Sequence, residues 1–71
     1  MIKFENAANG RYYYLVVQKD IFDDWVLSVV RGSKSRHIVK HCAYKSFADI
    51  ERQIAQISKI RLRRGYSLIE Y

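Results

Sequence analysis

The chain has no proline, one cysteine, three glycines and one tryptophan among 71 residues. Each shortage removes a class of protein. Without proline there is no rigid polyproline linker, and no low-complexity tract or internal repeat breaks the chain, so residues 1–71 read as one compact domain. A lone thiol, Cys42, excludes an intramolecular disulfide and suits a reducing cytoplasm. With only His37 and His41 beside it, Cys42 cannot complete a zinc site, so no metal and no other cofactor is expected. Residues 1–10 lack the apolar stretch of a signal peptide, and no apolar run approaches membrane-spanning length. These features predict a soluble cytoplasmic domain with no membrane partner.

Carboxylates are also scarce, seven against thirteen Lys and Arg, for a formal net charge of +6. The imbalance is one-sided. Residues 1–30 carry three cations and four carboxylates, whereas residues 31–71 carry ten cations and three carboxylates. Such asymmetry is the footprint of an anionic partner, nucleic acid above all.

What is abundant is β-branched and aromatic. Ile2–Glu5 reads as a short strand that turns at Asn9-Gly10, the strongest short hairpin signal because both residues tolerate positive φ. Arg11–Lys19 follows as a strand, with Tyr13, Leu15 and Val17 on its core face and Tyr12, Tyr14, Val16 and Gln18 on the other. Asp20–Asp24 is a turn from which Ile21 or Phe22 is expected to fold inward over the core edge. Trp25–Val30 is the next strand, broken by Gly32-Ser33, and Lys34–Tyr44 a polar one after it. Ser46-Phe-Ala-Asp is a capping-box-like helix start, and Phe47, Ile50, Ile54, Ile57 and Ile60 form one apolar stripe. Arg52, Gln56, Lys59 and Arg63 occupy the opposite arc, and Arg61, Arg63 and Arg64 favour the negative end of the helix dipole before a Gly65 cap. Tyr66–Tyr71 closes as a strand, with Tyr66, Leu68 and Glu70 opposite Ser67, Ile69 and Tyr71. The fold class is therefore α+β, in the order β-β-β-β-α-β. An antiparallel sheet of four to five strands carries one amphipathic helix, at about residues 46–64, packed across it.

No catalytic constellation is legible, and the chain is not read as an enzyme. Asp20, Asp23 and Asp24 read as turn chemistry, and His37 and His41 lie too far apart on a strand for easy shared ligation. Cys42 reads as a buried thiol, because His41 points to the opposite face. The chemistry-bearing set is cationic: Arg31, Lys34, Arg36, Lys40, Lys59, Arg61, Arg63 and Arg64, with Arg52 beside them and Gly32 in the turn. Tyr12, Tyr14 and His37 lie nearby. Such cations contact phosphates, and aromatic faces stack on unpaired bases. The reading is a non-catalytic nucleic-acid-binding module of low sequence specificity, DNA before RNA, monomeric or weakly dimeric. The alternative is a protein-interaction module that docks an acidic protein or self-associates through an edge strand or the tyrosine face.

Ordered signposts across nearly the whole chain carry a resemblance. They are Phe4…Asn9, Tyr12-Tyr13-x-Leu15, Asp20-Ile21-Phe22-Asp23-Asp24-Trp25-x-Leu27, Tyr44-x-Ser46 before an Ile-rich helix, and Lys59…Arg63-Arg64-Gly65-Tyr66. In this order they resemble the WGR domain family, named for a Trp-Gly-Arg motif. The resemblance implies an antiparallel sheet bearing one helix, and DNA contact near breaks as in nuclear poly(ADP-ribose) polymerases, whose catalysis resides in a separate domain. At the naming motif this chain has Arg31, Gly32 and Ser33. Only the glycine is kept, so the end-binding role of the motif Trp and Arg is not implied here, and Trp25 reads as a core anchor.

Overall fold

The sheet grows outward from the hairpin that Asn9-Gly10 predicts. In the computed structural model, which describes residues 1–22 and 24–70, Gly10 takes φ +72° and its amide donates to the Asn6 carbonyl at 2.8 Å. Two side chains complete the reversal: Asn6 Oδ1 accepts from the Ala8 amide and Asn9 Oδ1 from the Arg11 amide, each at 3.0 Å. Strands β1 (Ile2–Asn6) and β2 (Arg11–Lys19) then pair antiparallel, with Ile2 opposite Leu15 and Phe4 opposite Tyr13. Next come β3 (Trp25–Gly32), β4 (His37–Tyr44), the helix α1 (Phe47–Arg63) and β5 (Ser67–Glu70). All neighbours are antiparallel, in the spatial order β4-β3-β2-β1-β5. The protein is thus α+β, a five-stranded sheet with one helix, in the β-β-β-β-α-β order.

The two-residue period of the strands decides which side chains meet the helix. Ile2, Phe4, Leu15 and Leu27 fall on one face and are buried, and Ile50 of α1, with no exposed area, closes over them. Tyr13, Val17, Trp25, Val29, Tyr44, Ile54, Ile57 and Tyr66 pack around this centre. The helix ends are fixed by the expected residues. Ser46 is the N-cap, its Oγ accepting the Asp49 amide at 3.4 Å. Beyond the last turn, Gly65 takes φ +88°, its amide donates to the Leu62 carbonyl, and the Tyr66 amide reaches the Arg61 carbonyl at 3.0 Å. That is a Schellman closure, which needs a residue tolerant of the left-handed region. Among the described residues no helix is long and apolar enough to cross a membrane.

Four local expectations are corrected. Ile21 and Phe22 do not fold inward; they are 92% and 78% exposed. Asp20 Oδ1 accepts the amides of both Phe22 and Asp24 at 2.9 Å, and this local bonding holds the turn away from the sheet. Trp25 covers that edge instead, its ring 4.8 Å from that of Phe47, which leaves Phe47 itself 43% exposed. Second, β3 continues through Gly32 and β4 starts only at His37, because the Ser33 amide bonds the Arg36 carbonyl at 2.9 Å and Lys34-Ser35 become a tight turn. Third, the register shifts between Lys3 and Phe4, so Glu70 leaves the alternation with Leu68 and forms an ion pair with Lys3 at 3.4 Å. Fourth, Cys42 is half-buried rather than enclosed. Asp23 of the acidic turn and Tyr71 of the closing strand lie outside the described residues.

The sheet face away from the helix carries the two tyrosines Tyr12 and Tyr14, their rings 5.0 Å apart. The Tyr14 hydroxyl donates to Glu5 Oε2 at 3.0 Å, and Lys3 Nζ sits 5.5 Å from the ring centroid. Partial burial, followed by the bond to Glu5 and its negative charge, raises the Tyr14 phenol above its ordinary value. An acid whose folded pKa is raised stabilises the fold below its unfolded pKa of about 10, and that contribution is lost as pH climbs through the folded value. In an alkaline titration followed by tyrosinate absorbance, Glu5→Gln is predicted to lower the Tyr14 midpoint, with Tyr14→Phe providing the assignment. Tyr44, raised by burial and then by Cys42 and Asp49, is the internal control that should not move. An unchanged Tyr14 midpoint in the Glu5 variant would refute the coupling.

Candidate nucleic-acid interface

Hairpin geometry gathers the arginines. In an up-and-down sheet the first turn, after β1, and the third, after β3, fall at the same end. The helix leaves β4 at the opposite end and runs back, so its C-terminus returns to that same end. Arg11 at the start of β2, Arg31 near the end of β3, Arg36 in the third turn, and Arg61 and Arg64 at the end of α1 consequently surround one cleft of about 310 Å³. Tyr12, Tyr13 and Tyr66 line it too, and among the described residues no carboxylate does.

Arg61 is the best-held member. Its guanidinium carbon lies 4.6 Å from the Tyr13 ring centroid and 5.4 Å from that of Tyr66. Stacking on two π-faces restrains the planar group without consuming its donors. Its Nε is buried and has no hydrogen-bond partner. A buried donor left unmade is costly. The helix end itself is tied down through Asn6, whose Nδ2 donates to the Arg64 carbonyl at a long 3.5 Å.

The cleft sorts the expected cations. Arg31, Gly32, Arg36, Arg61 and Arg64 line it together. Lys34 shares this end of the molecule but leans toward the first turn, its Cε 4.0 Å from where a Cβ on Gly10 would stand. Lys40 lines a different groove, beside β4. Lys59 and Arg63 are exposed on the helix and do not line the cleft, and Arg52, also exposed, is ion-paired with Asp49. Of the aromatic neighbours, Tyr12 is hydrogen-bonded to His37 Nδ1 at 3.1 Å and lines the cleft, whereas Tyr14 is held by Glu5. Arg11 was not among the expected residues. It lies in the near-neutral half of the chain, and the signal that could have found it is its position directly after the Asn-Gly turn. Tyr13 and Tyr66, as arginine-stacking residues, were likewise missed.

Gly32 matters through close approach. A Cβ there would stand 2.1 Å from the Arg36 carbonyl oxygen and 2.7 Å from the Tyr12 hydroxyl. The backbone of the third turn folds directly over this position, which only a residue without a side chain permits. Gly32→Ala is predicted to cost about 1–3 kcal/mol through forced displacement, measured by urea unfolding, and to move the amide resonances of Ser33–Arg36. A variant as stable as the parent, with those resonances in place, would contradict this packing.

Other chemistry is sparse. Ser28 Oγ and His41 Nδ1 lie 2.7 Å apart on the open face, without a carboxylate bound to the imidazole. Among the described residues no three His, Cys, Asp or Glu groups cluster as a metal would need. Fold and site together define a small α+β domain whose one concentrated feature is an arginine-walled cleft at a single end. No family model, curated protein or solved structure matches the chain.

Proposed function

We propose that the protein is a non-catalytic nucleic-acid-binding module, taking DNA before RNA, with low sequence specificity and WGR-like architecture. The observation that carries this is the convergence of five arginines from four parts of the chain on one cleft that no carboxylate of the described residues lines. Guanidinium forks match phosphate oxygens two at a time, and Arg61 is held against the Tyr13 and Tyr66 rings at the cleft. The WGR reading is supported by the element order and by Gly32, the kept residue of the naming motif, which lines the cleft. Arg31 in place of the motif Trp favours phosphate contact over base or end stacking.

Contacts of this kind carry little sequence information and much salt dependence. Fluorescence anisotropy with duplex, nicked and single-stranded DNA, and with RNA of the same length, tests the proposal. The expected result is binding at low salt, with a slope of log affinity against log salt near −4 to −5, about 0.9 per neutralised phosphate for duplex. Absence of binding to every one of these at low salt would overturn it.

A further inference from the structure

A second surface adjoins the cleft, sharing Tyr13, Arg31 and Ile38 with it, and its reading does not rest on the proposed function. β4 is the outer strand of the sheet, paired only with β3, and its register runs unbroken from His37 opposite Gly32 to Tyr44 opposite Trp25. It has no proline and no bulge, two of the devices that blunt an edge, and Lys40 is its one Lys or Arg. The opposite edge is different: β5 has four residues and a shifted register. Between the helix and the helix-side face of β3 and β4 lies a groove of about 340 Å³. Its floor is Leu27, Val29, Ile38 and Cys42, and Ile57 of the helix forms a wall. Ile38 is 45% exposed. Among the described residues the groove's charged lining is Lys40 and Arg31, again with no carboxylate.

We infer that this edge and groove bind an extended acidic peptide by strand addition. The unpaired backbone groups of β4 supply main-chain hydrogen bonds. Alternate side chains of an added strand then lie beside the groove-side residues of β4, so apolar residues pack against Ile38 and Cys42 while a carboxylate meets Lys40. A second copy of this chain is a poorer occupant. Antiparallel pairing of β4 with its own copy, centred on the middle of the strand, would bring Lys40 of one protomer close to Lys40 of the other, and like charges across a strand pair are unfavourable.

The test titrates the full chain with the capped peptide Thr-Val-Thr-Val-Thr-Glu-Thr, and with versions carrying glutamine or lysine in place of glutamate. Hydrogen exchange and amide chemical shifts are followed by NMR. Outward amides of His37–Tyr44 should become protected, and the glutamate peptide should bind about two- to fivefold more tightly than the glutamine one, as an exposed ion pair allows. Lys40→Glu, at an exposed position, should invert the preference in favour of the lysine peptide. Binding without β4 protection, or equal affinity for the glutamate and lysine peptides, would overturn the inference. So would a concentration-dependent dimer in sedimentation that protects β4 with no peptide present, since the edge would then belong to a second copy.

Discussion

Replacing Arg31, Arg61 and Arg64 together by glutamine is expected to lower duplex DNA affinity by on the order of a thousandfold, at about 1.5 kcal/mol for each charge-assisted contact. The salt slope should flatten by about 2.7, or 0.9 per lost phosphate contact. These three side chains come from different elements and meet only at the cleft. The decisive control removes the same charge elsewhere. Arg52, Lys59 and Arg63, all exposed on α1 and outside the cleft, give an isoelectric triple-glutamine variant. If binding depends on the cleft, this control retains most of its affinity; equal losses in the two variants would mean that net charge alone is responsible and would refute the site. Arg61→Lys separates charge from shape. It keeps the cation, and therefore the slope, but loses the planar group stacked between Tyr13 and Tyr66, so its affinity should fall while its salt dependence stays.

Ile50→Ala is the second large expectation, now on stability. Ile50 is the buried residue of α1 that closes over the four buried strand residues, with no exposed area of its own and with Ile54 and Ile57 packed beside it. Truncating a buried isoleucine costs about 2–5 kcal/mol, the upper part arising where neighbours cannot collapse into the void. A chain of this length holds only about 4–10 kcal/mol in total, so the variant should be substantially unfolded or melt at much lower denaturant. Trp25, resting on Phe47 at the helix start, reports helix detachment by fluorescence during urea unfolding. Ile50→Val should lose about 0.5–1.5 kcal/mol, and Phe47→Ala less than Ile50→Ala because Phe47 is already 43% exposed. A loss below about 1 kcal/mol for Ile50→Ala would show that the helix is held elsewhere.

Much of the fold was legible because the decisive signals are local. Asn9-Gly10 marks the first hairpin, Ser46 and Gly65 bracket the helix, and two periodicities separate strand faces from the helical stripe. The errors fall where a local hydrogen bond outweighs a side chain's hydrophobicity. Ile21 and Phe22 are apolar, yet the Asp20 carboxylate fixes the loop around them and leaves them in water. Glu70 departs from simple alternation because a shifted register is a property of two strands and cannot be read along one. The candidate site was half legible for a related reason. Sequence groups cations by neighbourhood in the chain, which collected Lys59 and Arg63 with Arg61, whereas the sheet groups them by which end they reach. Arg11 belongs with Arg61 on that criterion, fifty residues away.

Arg31 stands on the boundary between two concave surfaces. It faces Ile38 across the β3–β4 pair, and both residues, with Tyr13, line the arginine cleft and the groove beside β4 alike. One guanidinium cannot give the same donors to a phosphate and to a peptide carboxylate. Occupation of either surface should therefore weaken the other, and thermodynamic reciprocity requires the two penalties to be equal. Antagonism between the two proposed ligands would then need no moving part.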